Sequence, residues 1–328
     1  MKENLTLKLT LSCLLIISFL IGVSSAQSFD PQFQGGFPGG IDSGPVPAQD
    51  GERIKKSNIA SQTVWQYEAT PGKVPGEIIT SNGVKLSSAT FDTNGNTIEK
   101  TVFHPNGSVS LASHYVYDSE GLLREASTSS SDESHNQRLI YEYDINNWLI
   151  EAVSYKPDGS VNATMEFKYN DTGKLLETST STQDGRVNIK VTHYYDADGK
   201  IVESIGYDNV KGMVLTRKTY NYGPDGMEMT TFRPDGSIVG RTKNIYDSSE
   251  NVIEAISFNS EGEVTSQTTN TYDNNGKTIE TVTSIPSVNM KTMATFKYDA
   301  EGNLIEQTNY NKFNEPVKVM RNVYEYYE

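Results

Sequence analysis

The hydrophobic positions of this chain recur with a fixed period. An aromatic residue opens each unit, and successive openings lie 24 to 27 residues apart, most often 26. The nine complete units open at Phe91, Tyr117, Tyr143, Tyr169, Tyr195, Tyr222, Tyr246, Tyr272 and Tyr298. A tenth unit begins at Tyr324, close to the last residue. A constant period of this size predicts a stacked repeat architecture, in which neighbouring units bury a shared core.

Each unit carries two turn signals that separate two β-prone segments. The first turn is Asp-x-x-Gly, as at residues 118–121, and the second often contains Pro-Asp-Gly, as at residues 156–159. Aspartate can accept hydrogen bonds from the backbone ahead of it, and glycine supplies a positive φ. Adjacent aliphatics such as Leu149 and Ile150 give both faces of a strand apolar character, because neighbouring strand residues point to opposite faces. Short turns leave no room for a crossover helix, so the strands must be antiparallel.

These elements predict an all-β fold. We expect tandem antiparallel β-hairpin repeats of about 26 residues, forming one long twisted or spiral sheet. The spacing between Tyr222 and Tyr246 is two residues short, which indicates a bulge or bend there. Glu250 stands where other units have the first-turn glycine, so we expect that turn to differ. An open sheet would leave an unpaired edge near residues 319–327.

The N-terminal residues are typical of a signal peptide, residues 1–26. Lys2 and Lys8 precede an apolar run from Leu9 to Val23, and cleavage after Ala26 fits the small residues at that position. The run is too short for a confident membrane span, and no later stretch approaches its length. We therefore predict a secreted or periplasmic protein with no membrane span in the mature chain.

The remaining chain divides into two parts. Residues 27–60 are rich in glycine and proline and predict a flexible linker, whereas residues 61–328 predict the β-hairpin repeat domain. Cys13, the single cysteine, falls within the predicted signal peptide, so the mature chain has no disulfide to stabilise it.

The charge balance is acidic, with 42 acidic against 28 basic residues and a net charge of −14 at pH 7. Such a surface repels nucleic acid and favours solubility, basic partners or divalent cations. A solvated acidic face without a partner is the commoner arrangement.

Several units open with the dipeptide Tyr-Asp, which is followed by a glycine and an aliphatic pair. The dipeptide occurs at residues 117–118, 143–144, 195–196, 246–247, 272–273 and 298–299. This pattern, repeated in tandem from about residue 91 to 328, resembles the YD repeats of the Rhs family. The resemblance implies strips of antiparallel hairpins that spiral into a hollow shell, and related repeats have been linked to carbohydrate binding. The chain departs from the family in its longer period and in the lack of a recognisable self-cleaving core or toxin domain.

Glutamate recurs eight residues after the opening aromatic in all complete units but one. The column contains Glu99, Glu125, Glu151, Glu177, Glu203, Glu254, Glu280 and Glu306. A row of carboxylates could bind cations or act in acid–base chemistry. We favour cross-strand ion pairing, with Glu125 opposite Arg138, Glu177 opposite Lys190 and Glu203 near Arg217. No metal site and no cofactor are predicted.

A second aromatic column is present only in alternate units. Its members are spaced 51 or 52 residues apart and are Phe103, Tyr155, Tyr207, Phe258 and Tyr310. Aromatic rings in register on a sheet can stack against sugar rings, and these five are our candidate ligand-binding residues. The alternative is that they fill a core or cover a neighbouring hairpin.

No residue pattern predicts catalysis. The histidines fall at no catalytic or metal-ligand spacing, and no nucleotide-binding or hydrolase motif is present. We predict an exported, non-catalytic binding or scaffold protein, with carbohydrate at the cell envelope as one ligand class that the aromatic column fits. The alternative is a purely structural or protein-partner module that acts through the exposed sheet surface or edge. No catalytic residues are assigned.

Overall fold

The computed structural model describes residues 48–131, 133, 136–224 and 226–328. The predicted signal peptide and most of the predicted linker lie outside the described residues. Within the linker range, helix α1 spans Ala48–Lys56 and strand β1 already begins at Ile59. Beyond residue 60, the helical structure described is a single 3-10 turn at Pro286–Val288.

The strands are short and follow one another through tight turns. In chain order they are β1 Ile59–Pro71, β2 Ile78–Thr80, β3 Val84–Phe91, β4 Thr97–Phe103, β5 Val109–Tyr117, β6 Leu123–Ser130, β7 Gln137–Tyr143, β8 Leu149–Tyr155, β9 Val161–Tyr169, β10 Leu175–Thr182, β11 Val187–Tyr195, β12 Ile201–Asp208, β13 Met213–Gly223, β14 Gly226–Phe232, β15 Ile238–Tyr246, β16 Val252–Asn259, β17 Val264–Tyr272, β18 Thr278–Ile285, β19 Met290–Tyr298, β20 Leu304–Tyr310 and β21 Pro316–Tyr326.

The sheet closes on itself. From β3 to β21 each strand pairs antiparallel with the next, and β1 pairs with both β3 and β21. The short β2 pairs only with the end of β1 and is not part of the barrel wall. The other twenty strands form a closed antiparallel barrel. The all-β hairpin prediction is confirmed, whereas the open twisted or spiral sheet is wrong. The predicted free edge at residues 319–327 is occupied by β1, which satisfies the backbone groups that an open edge would expose.

The strand register shows which face of the sheet is inward. Paired positions run from Glu125 through Ile140, Val153 and Thr164 to Ser181, from near the start of β6 to near the end of β10. Consider the sheet with the glutamate side chains pointing towards the reader and β5 running from bottom to top. In this view, the L configuration of the residues and the backbone pairing of β5 with β6 place β6 to the right of β5. The line through the paired positions then descends towards the right relative to the ends of the barrel, which means that the strands lean to the right as they rise. Strands of a β-barrel lean this way when they are seen from outside, so the reader is looking at the outer face. The glutamate column therefore faces outward and the opening tyrosines face inward.

No central hydrophobic core fills the described barrel. One cluster of buried residues joins Ala152, Met165, Phe167 and Leu175 on three consecutive strands. A second joins α1 to neighbouring strands at the point where the barrel closes. Twenty strands at about 4.8 Å spacing give a perimeter of roughly 100 Å, and the inner wall at mid-height carries many small residues such as Ala126 and Ser154. The stabilising contacts therefore lie within the wall.

The opening tyrosines tie consecutive units together. Six of them donate a hydrogen bond of 2.7–3.0 Å to a backbone carbonyl twenty residues earlier. The donors are Tyr143, Tyr169, Tyr195, Tyr272, Tyr298 and Tyr324. Each bond links the end of one strand to the start of the strand before it, as between Tyr143 on β7 and Leu123 on β6, which explains why the tyrosine recurs once per unit.

Burial of these tyrosines predicts alkaline unfolding. Burial raises the pKa of Tyr298 and of Tyr324 to about 12, from an ordinary 10.0. Because unfolded phenols ionise at lower pH than the folded ones, this contribution to stability is complete below about pH 10 and is lost as the pH rises towards 12. Circular dichroism and phenolate absorbance should therefore change together over this range. Titration of all tyrosines near pH 10 with the strand signal unchanged would contradict the prediction.

The first turns hold their shape even without glycine. In the turn at residues 118–121, the Asp118 carboxylate accepts hydrogen bonds from the backbone N–H groups of Glu120 and Leu122, both at 2.9 Å. Glu250 adopts φ 64° and makes the same backbone bond to Asp247 that glycine makes elsewhere. The expectation that this turn differs is wrong, since the aspartate bonds impose the conformation on glutamate.

Candidate ligand-binding cleft

The turns define two ends of the barrel. The Asp-x-x-Gly turns form the first-turn end, and the turns that follow β4, β6, β8 and every second strand after them form the second-turn end. Helix α1 lies at the first-turn end, where Ile54 is buried against Ile59 and Phe91.

All five candidate aromatics lie at the second-turn end. Phe103, Tyr155, Tyr207, Phe258 and Tyr310 stand at or next to the last residue of β4, β8, β12, β16 and β20, and all are partly exposed. Alternation along each strand from the glutamate column places them on the outward face. Neighbouring members are four strands apart, roughly 19 Å across the sheet. They therefore cannot form one stacked row, and each has its own surroundings.

Sequence reasoning did not single out Phe232, another aromatic at this end. Phe232 ends β14 and has the Arg217 guanidinium 5.3 Å from its ring centroid. It occupies the equivalent place in the unit with the short spacing, so it fell outside the alternate-unit pattern.

A cleft opens beside Tyr155, with a volume of about 500 Å³. It lies between the adjoining ends of β6 and β7 and the turn that joins β8 to β9. The described lining residues are Thr128, Ser129, Asn136, Gln137, Arg138, Tyr155, Lys156, Pro157 and Gly159. Of these, the sequence pattern selected Tyr155 as a ligand-binding residue, while Arg138 entered only as an ion-pair partner.

A tight turn positions the tyrosine and the lysine that follows it. The Asp158 carboxylate accepts hydrogen bonds from the backbone N–H and the hydroxyl of Ser160, at 2.9 and 2.6 Å. These bonds, with the charge of Lys156, hold the pKa of Asp158 below its ordinary value. Gly159 takes φ 82°, which completes the turn. The turn therefore fixes the backbone on which Tyr155 and Lys156 are presented.

Arg138, which is directly paired with Tyr155 across β7 and β8, also lines the cleft. Its guanidinium donates two hydrogen bonds to the Glu125 carboxylate, at 2.8 and 2.7 Å. These bonds hold the pKa of Glu125 below its ordinary value. The guanidinium carbon also lies 5.9 Å from the Tyr155 ring centroid. The ion pair thus orients Arg138 alongside the aromatic ring.

The glutamate column does pair with basic residues, but diagonally. Glu177 pairs with Lys190 and Glu203 with Arg217, although the strand register places each two residues away from its direct partner. A β-bulge lies close to the second turn between β10 and β11 and between β12 and β13, and each bulge shifts the pairing by one residue. Direct opposition, as predicted for Glu125 and Glu177, is therefore wrong, whereas the three ion pairs themselves are confirmed.

One member of the column has like charges on both sides. Glu151 lies directly opposite Glu142 on β7 and Glu166 on β9. Like charges in direct opposition destabilise a strand pair, and opposite charges contribute about 0.2–1 kcal/mol. We expect Glu151→Lys to raise the free energy of unfolding by about 0.5–1 kcal/mol, measured by urea denaturation.

Glu177→Lys is the matched control, because Glu177 pairs with both Lys168 and Lys190. It should lower the free energy of unfolding by a similar amount. If both substitutions change the free energy of unfolding in the same direction, the charges of the residues directly opposite positions 151 and 177 do not determine that change.

The described part of the chain contains no group of three or more histidine, cysteine, aspartate or glutamate side chains placed to hold a metal ion. None of the helical segments described has the length and apolar character that a membrane crossing requires. His193 Nδ1 lies 2.9 Å from the Ser204 hydroxyl, and both side chains are buried.

No protein-family model matches the chain, and no curated protein matches it in sequence. Among solved structures, it is similar to a chain in the crystal structure of TcdB2-TccC3-TEV, with 15% identity and a TM-score of 0.36 over 78% of this chain. This chain spans 14% of that one. It is also similar to a porin-like protein from Bacteroides uniformis, with 9% identity, a TM-score of 0.35, and coverage of 81% of this chain and 98% of that chain. A porin-like protein from Bacteroides vulgatus gives 9% identity and a TM-score of 0.32, with coverage of 82% and 98%. These similarities do not assign the chain to a family.

Proposed function

We propose that this protein is an exported, non-catalytic carbohydrate-binding protein, and that the cleft beside Tyr155 receives the sugar. The observation that carries the proposal is the composition of the cleft. A partly exposed tyrosine ring lies beside a guanidinium, and the lining of the cleft also includes the polar residues Ser129 and Asn136. The predicted signal peptide supports an extracytoplasmic site of action.

The chemistry of the cleft matches that of a sugar. An aromatic face packs against the C–H groups of a pyranose, and the phenol retains a polar tip for hydrogen bonding. The Asn136 amide, whose oxygen accepts a hydrogen bond from the Ser130 backbone N–H, has N–H donors that can pair with a sugar hydroxyl. Few, well-placed polar groups around an apolar surface are typical of small-ligand sites.

The test is retention on a panel of insoluble and immobilised polysaccharides. We expect the native chain to be retained on at least one polysaccharide, and the Tyr155→Ala variant to lose that retention because the stacking surface is gone. Tyr194→Ala is the matched control, since Tyr194 is 45% exposed and lies at the other end of the outward face. It should bind like the native chain.

Both variants must keep the strand signal in circular dichroism for the comparison to count as a binding effect. Failure of the native chain to bind any polysaccharide, or undiminished binding by folded Tyr155→Ala, would contradict the proposal.

A protein-partner role is the second candidate, and a ring of outward aliphatic residues favours it. In several units the first two residues of the strand after the first turn lie on opposite faces, with the first in the inner wall and the second exposed. Five exposed members, 37–38% accessible, are Ile150, Leu176, Ile253, Ile279 and Ile305. Because β21 is paired with β1, its edge is not free, and a partner protein would bind this aliphatic surface instead. Sedimentation velocity of the native chain and of Ile150→Ser/Leu176→Ser tests the simplest case, association between copies of the chain.

A further inference from the structure

Three partly exposed aromatic rings lie on the outer wall of the barrel beyond the cleft. These rings, which we call the aromatic strip, are Tyr207 on β12, Phe232 on β14 and Phe258 on β16, all at the second-turn end. Each stands where a β-bulge interrupts the pairing with the following strand, so all three share one local backbone geometry. We propose that the strip extends the cleft, so that the protein binds a long, linear polysaccharide chain. This inference rests on the proposed carbohydrate-binding function.

The fold does not require an aromatic ring at this position. In other units the equivalent residue is serine, as at Ser181 on β10 and Ser284 on β18. Ser181 stands at the same kind of bulge as Tyr207, and its strand pairs with both neighbouring strands. Serine therefore satisfies the local structure, and neither the bulge nor the turn explains the rings of the strip.

Rings and cations alternate along the strip. Phe232 is directly paired with Arg217 on β13, and Phe258 is directly paired with Arg241 on β15. Both arginines are exposed. An aromatic face can pack against the C–H groups of a sugar ring, and a guanidinium can donate hydrogen bonds to its hydroxyls. Each ring together with its paired arginine therefore offers the contacts that one sugar residue needs.

The spacing of the rings requires a chain of several sugars. Neighbouring rings of the strip are two strands apart, roughly 10 Å across the sheet, and Tyr155 lies four strands before Tyr207, roughly 19 Å away. A disaccharide held in the cleft cannot reach the strip, whereas a polymer can. Once one segment of the polymer is bound in the cleft, its contacts with the strip form within the same complex, so weak contacts add to the affinity.

The experiment compares each polymer with its own disaccharide. Soluble mixed-linkage β-glucan, xylan and mannan, with cellobiose, xylobiose and mannobiose, are titrated against the native chain, Phe232→Ala and Tyr155→Ala. At equal concentration of sugar units, we expect the native chain to bind at least one polymer about tenfold more tightly than its disaccharide. Phe232→Ala should weaken binding of that polymer about three- to tenfold and leave disaccharide binding unchanged. Tyr155→Ala should weaken binding of both.

Two further variants test the role of the ring itself. Phe232→Leu keeps a large apolar side chain without a flat aromatic face, so it should weaken polymer binding as Phe232→Ala does. Ser181→Phe adds a ring between Tyr155 and Tyr207 and should tighten polymer binding by a similar factor. Tyr194→Ala is the matched control, because it removes an exposed aromatic at the other end of the outward face, and it should bind both forms like the native chain. Circular dichroism checks that each variant keeps the native strand signal.

The outcomes separate this inference from the proposed function. If folded Phe232→Ala and Phe232→Leu bind the polymer as tightly as the native chain, the strip is not part of the site, and the cleft beside Tyr155 remains. Equal binding of polymer and disaccharide by the native chain, or loss of disaccharide binding in folded Phe232→Ala, would also overturn the extension alone. The same holds if the native chain binds none of these linear polymers but binds another polysaccharide through Tyr155. Absence of binding to every polysaccharide would overturn the proposed function and this inference together.

Discussion

Deletion of residues 316–328, which removes β21, is expected to abolish the native fold. This strand makes nine residue pairs with β1 and also pairs with β20, so its loss opens the barrel and exposes two edges at once. Val319 is among the most buried residues, and Tyr324 contributes to the cluster that holds α1. We expect insoluble or aggregated protein without the cooperative thermal transition of the full chain.

An open repeat array behaves differently, because its stability is a sum over neighbouring units and a terminal unit can be lost at modest cost. The control is a shortened chain of residues 48–328, which retains the whole described barrel and should fold. If the variant lacking β21 is monomeric and melts cooperatively with only a small decrease in Tm, the sheet is not closed by this strand.

Gly95→Ala should destabilise the protein strongly. Gly95 takes φ 83°, a conformation that side chains rarely adopt, and a Cβ at this position would collide with the backbone oxygen of Gly51 in α1. The substitution would therefore push α1 away from its site. Ile54 would then lose the contacts with Ile59 and Phe91 that bury it. Loss of a fully buried isoleucine contact surface costs about 2–5 kcal/mol, and we expect a decrease in the free energy of unfolding of that size.

Gly107→Ala separates the backbone strain from the collision. Gly107 has φ 84°, but a Cβ there meets no atom within 4 Å. The control should therefore cost only the strain of a left-handed residue, about 1–2 kcal/mol. Urea denaturation of the two variants measures the difference. Equal losses in both would show that α1 does not depend on close approach to Gly95.

The local elements could be predicted from the sequence because their signals are local. An aspartate that bonds the backbone ahead of it and a glycine with positive φ specify each first turn, as at residues 118–121. The adjacent aliphatics also behaved as predicted. Leu175 is 2% exposed and faces the inner wall, whereas Leu176 is 37% exposed.

Closure could not be predicted because it depends on a strand outside the repeat. The strand β1, at Ile59–Pro71, lacks the opening aromatic and the Asp-x-x-Gly turn, yet it joins the first repeat strand to the last. The period of the sequence specifies the hairpin but not the curvature of the sheet. Curvature accumulates from twist and from bulges such as that between Val116 and Tyr117.

The residues of the cleft could also be predicted only in part, because some of them are brought together by strand register. The aromatic column singled out Tyr155, which is partly exposed, because the residue type and its period are visible in the sequence. Asn136, Gln137 and Arg138 come from another hairpin and join the site only through the register of β7 against β8.

The most direct test of the closed barrel is a cross-link across its seam. Gln66 on β1 and Met320 on β21 are directly paired, although they lie far apart in sequence. The predicted mature chain has no cysteine, so Gln66→Cys/Met320→Cys introduces a single pair. Directly opposed strand residues have Cβ atoms about 4.5–5.5 Å apart, close to the separation that a disulfide requires. On mild oxidation, we predict that the monomer forms the intramolecular disulfide, seen as a linked peptide by mass spectrometry. A folded, monomeric double variant whose two thiols stay free would place residues 66 and 320 at separate ends of an open sheet and contradict the closed barrel.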